Sequence, residues 1–219
     1  MTSHQLNRRL SAFMPFVVPL AIVVAVVFPG QFGVLLPAIA PVFFVIVFAG
    51  SSTLRVRSIA ETLRHPLPLL LILGILHVVM PVVAWAVARL GFAGSPDIAA
   101  GMVLEFLVPT ASAGFAWIAI CGGNLTLGLV AVFVDAVLTP VLLPFGVELL
   151  TGAHVSVDSG ELMRSMVVMV LAPSVLAVAF NEATGGRVSG RIIPWLQMVV
   201  KCGIVVVILA SSTRIAPIV

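Results

Sequence analysis

Apolar residues fall along this chain in long blocks, separated by Gly, Pro and short clusters of charge. Blocks near or above ~18 residues recur, and each is long enough to cross a ~30 Å hydrocarbon core. Bounding them by Gly, Pro and charge predicts seven helices, over residues 14–28, 33–50, 68–90, 97–121, 125–150, 162–180 and 192–212. The first block follows Arg8 and Arg9 in the manner of a signal peptide, but no clear small-x-small cleavage site precedes the Pro29-Gly30 turn, so it is read as a span. The expected fold class is all-α, a polytopic membrane helix bundle.

Composition supports that solvent. Of 219 residues, 61% are hydrophobic and 9% charged, against about 25% charged in a soluble domain. The net charge of +3 comes from basic residues in short loops and not from a stripe, which excludes a nucleic-acid surface. Arg8, Arg9, Arg55, Arg57, Arg64, Arg187 and Arg191 gather on one side, whereas Arg89, Arg164 and Arg214 lie on the other beside Asp97, Glu148, Asp158 and Glu161. The positive-inside rule then places the N-terminus in the cytoplasm. Cys121 and Cys202 sit inside apolar segments with no metal-ligand spacing and read as small buried residues.

A faint internal repeat crosses the chain. Val18-Pro19 opening a run that closes at Phe28 is echoed by Ala172-Pro173 with Phe180, and Leu35-Leu36-Pro37 leading to Ser51-Ser52-Thr53 by Ile192-Ile193-Pro194 leading to Ser211-Ser212-Thr213. The first prolines are 154 residues apart, the second 157, and the Ser-Ser-Thr ends 160. Pairing helix 1 with 6 and helix 2 with 7 inverts direction, as an inverted five-helix repeat requires. Residues 1–151 then form a first repeat and 152–219 the start of a second, whose complete form would run about 90 residues beyond Val219. Chance recurrence of Pro and Ser in apolar sequence is the alternative.

Helices 4 and 5 carry the candidate chemistry. Pro109 interrupts helix 4, and the small residues Thr110 to Gly114, with Ser112 among them, leave room for other helices or a ligand. Half-helix ends of this kind bind anions in transporters, although a plain proline kink has the same sequence. On helix 5, Asn124, Gly128, Ala131, Asp135 and Thr139 draw one small, polar stripe. Asp135 lies deep in its span, where an acid costs ~2.5–3.5 kcal/mol on insertion scales and needs a partner or a cation. Glu105, four residues before Pro109, is a second acid at membrane depth. His77, four before Pro81, is either a titrating group or a packing residue. Gln197 and Lys201 share a face of helix 7, where they would draw in an anion or let the lysine snorkel.

These residues form a familiar set. His65-Pro66-Leu67-Pro68, Leu76-His77-Val78-Val79-Met80-Pro81, Gly101-Met102-Val103-Leu104, Pro109-Thr110-Ala111-Ser112, Gly123-Asn124 and Asp135 through Thr139-Pro140 resemble the bile acid:sodium symporter family, especially its bacterial branch, over nearly the whole chain. The resemblance implies ten helices in two inverted repeats. Helices 1, 2, 6 and 7 would form a panel, the others a core in which broken helices 4 and 9 cross at the substrate and ion site. This chain would cover helices 1–7.

The family's sodium ligands of helix 4 fall on Gly114 and Phe115, and those of helix 5 on Gly128 and Val132, none of which can coordinate sodium through a side chain. The coupling ion is therefore sodium by resemblance, or a proton at Asp135 with Glu105 or His77. The resemblance further implies a transporter of a small organic anion in a bacterial inner membrane, with Pro109, Thr110, Ser112, Gly114 and Asn124 at the substrate, no cofactor, and a homodimer left open. The rivals are a half-transporter inactive alone and an intramembrane enzyme; Ser112 has no G-x-S-x-G or paired-His motif beside it, so no enzyme is expected.

Overall fold

A computed structural model describes residues 3–108, 118, 121–151 and 159–214. Among them no strand occurs, and the helices are α1 (Ser3–Val27), α2 (Pro29–Ser51), α3 (Val56–Arg64), α4 (Leu67–Gly91), α5 (Pro96–Leu107), α6 (Leu125–Thr151), α7 (Gly160–Ala183) and α8 (Arg187–Ser212). Five described stretches are long and apolar enough to cross a bilayer: α2, α4, α7, Leu125–Leu150 and Trp195–Ser212. The seven-span expectation differs at two places. The apolar part of α1, Phe13–Val27, is shorter than a full span, and only the first half of predicted helix 4 is described, as α5.

Prolines shape the helices from within. A proline at position i has no N–H for the carbonyl at i−4 and its ring crowds that carbonyl. In α4 the chain answers by widening: Ile75–Val79 is a π turn in which the Met80 N–H reaches back to the Ile75 carbonyl, just ahead of buried Pro81. In α7 the same device recurs, with Val167–Leu171 as the π turn and the Ala172 N–H bonded to the Val167 carbonyl ahead of buried Pro173. In α2, around Pro37, the chain tightens instead into a 3₁₀ stretch over Gly33–Ala38.

The chain divides into two compact units, each discontinuous or internal in sequence: Met1–Thr53 with Pro173–Val219, and Leu54–Ala172. This division in space is a different one from the 151/152 boundary of the repeat.

In the first unit α8 packs along α1 and α2. The approach is close at Gly203, where an added Cβ would fall 2.9 Å from Ile46 Cδ1 and 3.2 Å from Val42 Cγ1. Small residues at helix contacts are how membrane helices gain van der Waals packing without a hydrophobic driving force, and Ala25, Ala177 and Ala210 are buried here as well. The Phe48 and Phe180 rings meet at 6.0 Å, and Ser51 Oγ lies 3.4 Å from Ser174 Oγ. The Ser-Ser-Thr ends satisfy themselves: Ser52 Oγ donates to Phe48 O at 2.6 Å and Thr213 Oγ1 to Ala210 O at 2.7 Å. Cys202 and, in the other unit, Cys121 are exposed. That corrects the reading of both as buried; an apolar neighbourhood in a membrane protein lies toward lipid as readily as toward the core.

In the second unit α5 packs on α4 and α6, and α6 is its axis. Val103 and Leu107 of α5 and Leu143 and Val147 of α6 form a buried cluster, flanked by Trp85, Leu104, Leu150 and Leu162. Arg89 stands over the Trp85 ring at 5.3 Å. α5 stops at Val108, whose backbone is extended with ψ 148°, as the residue before a proline prefers. After the next described residues, Gly122 is left-handed with φ 68° and the Gly123 N–H reaches back to Ile118 O at 2.8 Å. A side chain at Gly122 would be strained.

Candidate ion-coupling site

The site lies in the second unit, where the π turn of α4 meets the middle of α6. Widening at Ile75–Val79 carries His77, the residue whose carbonyl Pro81 leaves without its usual donor. π turns of this sort occur often at functional positions. On α6, Gly128, Ala131, Asp135 and Thr139 all lie buried, so the small, polar stripe read from sequence is the face turned to the protein.

His77 Nε2 and Asp135 Oδ1 stand 2.7 Å apart, with the two side chains only 7% and 2% exposed. Thr139 Oγ1 donates along the same helix, 2.8 Å from Asp135 O and 3.1 Å from Asp135 Oδ1. An ionised carboxylate only accepts, so Nε2 carries the hydrogen in that state. The other ring nitrogen, Nδ1, is buried and has no hydrogen-bond partner among the described residues. A buried polar atom in that condition is costly, on the order of 1–3 kcal/mol, and such exceptions call for an explanation.

Two protonation states are thus open to the pair. With a neutral imidazole, Nδ1 presents a lone pair and the carboxylate leaves a net charge of one negative unit; with a proton on Nδ1 the pair is an imidazolium and a carboxylate, neutral in sum.

The remaining candidates are placed as follows. Glu105 is exposed on α5, and no described hydrogen bond or ion pair joins it to His77 and Asp135. Asn124 is exposed and caps α6, its Oδ1 accepting from the Leu127 N–H at 3.1 Å. Gly128 is buried and Val132 half-buried, and neither offers a side-chain oxygen. Pro109, Thr110, Ser112, Gly114 and Phe115 lie outside the described residues. Gln197 is exposed and Lys201 half-buried on α8. Sequence reading set Asp135 beside either Glu105 or His77 without choosing; the structure brings His77 to it. The clue available was that each stands in mid-span four residues from a second polar or proline position, Thr139 and Pro81.

Comparison with known proteins places this chain in a family. The model of the sodium bile acid symporter family matches residues 40–216. An uncharacterized protein, YbaS, of Bacillus subtilis (strain 168) is 34% identical over 204 residues, covering 93% of this chain and 67% of that protein. The family consists of transporters, which points away from an enzyme. The chain is a multi-pass helical membrane protein and belongs to the sodium bile acid symporter family.

Proposed function

We propose that this protein is a secondary transporter of a small organic anion, coupled to protons through His77 and Asp135. The observation that carries the reading is the buried 2.7 Å pair with an unsatisfied Nδ1. A proton taken up at Nδ1 neutralises the pair; its release restores a buried negative charge. An anion entering nearby favours the protonated form, and this differential interaction links substrate to proton. One further fact weighs the same way: Gly128 and Val132, where the resemblance puts sodium ligands, have no side-chain oxygen to offer. Buried ionisable groups in membrane spans are usual in such relays.

Alternating access around the interrupted helix 4 is the proposed movement, with substrate at Pro109, Thr110, Ser112 and Gly114 and with Asn124 at the edge through its cap of α6. An inverted repeat would supply the symmetry for it. In support, Ile46 meets Gly203 at the same separation of 157 residues as Pro37 and Pro194, as expected of counterparts that lie on a two-fold axis. The setting is a bacterial inner membrane with a cytoplasmic N-terminus.

The test is uptake into proteoliposomes of a radiolabelled bile acid, a steroid sulfate and a keto acid, under a pH gradient or a sodium gradient. Accumulation of one of them driven by acid outside supports the proposal. Accumulation driven by sodium alone removes the proton, and uptake of none under either gradient removes the transporter.

A further inference from the structure

The charged link between α2 and α4 holds a helix of its own, α3. Nine residues at ~1.5 Å rise cannot cross a bilayer. It is tied at both ends to segments that do: residues 52–55 join it to α2 and residues 65–66 to α4. Its position along the chain therefore holds it at the bilayer surface.

Its faces are sharply different. Val56, Ile59, Ala60 and Leu63 recur at helical spacing as one apolar arc, and Arg57, Glu61 and Arg64 line the adjoining polar side. The protein covers a different edge, since Ser58, Ile59 and Thr62 are the shielded residues and α3 packs on α6. Most of the apolar arc is left bare, with Val56 48% and Leu63 52% exposed.

Arg57 bonds Glu61 at 2.7 Å on the exposed surface, and that carboxylate raises the guanidinium above its ordinary value, first through the hydrogen bond and then through its charge. Arg55 and Arg64 form no ion pair among the described residues. Three arginines against one glutamate leave the segment cationic beside a bare apolar arc.

We propose that α3 is an interfacial helix that lies on anionic phospholipid, with Val56, Ala60 and Leu63 in the headgroup and acyl boundary and Arg55, Arg57 and Arg64 on the lipid phosphates. Buried apolar area and attraction to anionic lipid together set the strength of such docking. The charge complementarity, and the tethering that already places the arc at the bilayer, select lipid over a protein partner.

The experiment uses the full chain in nanodiscs of phosphatidylcholine alone or with phosphatidylglycerol added. A nitroxide is attached through Leu63→Cys, with Cys121→Ser and Cys202→Ser removing the two exposed native thiols. Its collisions with oxygen and with a water-soluble nickel chelate report depth. The expected result is a shift toward oxygen when phosphatidylglycerol is added, lost in Arg55→Gln/Arg57→Gln/Arg64→Gln; Val56→Cys repeats the reading at the other end of the arc. A label that stays open to the chelate in both lipids, or a shift that the triple variant retains, overturns the proposal.

Discussion

A histidine and an aspartate buried together inside a membrane span are costly to break singly. Removing one partner takes a hydrogen bond from the other in a buried setting, a cost of several kcal/mol for a charge, whereas replacing both can be close to neutral. The pair should therefore be non-additive. In detergent, Asp135→Asn and His77→Gln should each lower thermal stability, and the double variant should lose less than the sum by about 0.5–3 kcal/mol, the range for contacting residues. A double-mutant cycle read by thermal unfolding checks this, and additive losses would mean that the 2.7 Å contact carries no energy. Thr139→Val keeps the shape and removes only the hydroxyl that donates toward Asp135; about 1 kcal/mol is expected, as for one buried hydrogen bond. Sequence alone made Asp135 conspicuous because an acid in mid-span has no cheap explanation. It offered both Glu105 and His77 as companions of Asp135 and did not choose between them; His77 stands 58 residues away, and helix direction and rotation decide which polar faces meet.

At the scale of elements, the apolar blocks mark α2, α4 and the spans in α6, α7 and α8 with small errors at their ends, because length against bilayer thickness is a strong constraint. At Pro109 the sequence left a break and a plain kink both open; the described helix ends at Leu107 with Val108 extended, as the residue ahead of a proline prefers. The π turns were not legible. A proline yields a kink, a 3₁₀ stretch or a widened turn according to its neighbours, and this chain contains examples of the last two at Pro37, Pro81 and Pro173. α3 was hidden for another reason: its arginines made it read as a loop, although Val56, Ile59, Ala60 and Leu63 carry helical spacing. Two predictions belong here. Pro81→Ala removes the cause of the widening, so α4 should return to regular α-helix and turn His77 away from Asp135; proton-driven uptake should fall while the protein still folds, as read by uptake and size-exclusion profile together. Gly203→Val adds a branched side chain where a single Cβ already falls 2.9 Å from Ile46. Overpacking of that kind costs about 1–3 kcal/mol, and Ile46→Ala in the same chain should restore part of the lost thermal stability.

At the scale of the whole molecule, membership of the sodium bile acid symporter family and the absence of side-chain oxygen at Gly128 and Val132 stand side by side. The proposal resolves them by giving the coupling role to a proton. In that proposal a proton on the pair would do what a bound cation does, cancelling a charge that the interior penalises. The most direct test records proton movement itself, with a pH-sensitive dye trapped in sodium-free proteoliposomes and the transported anion added outside. The account predicts that the lumen acidifies with the native chain and does not with Asp135→Asn, while Asp135→Asn still exchanges labelled for unlabelled anion. Acidification that persists in Asp135→Asn, or uptake by the native chain that moves no proton, would contradict it.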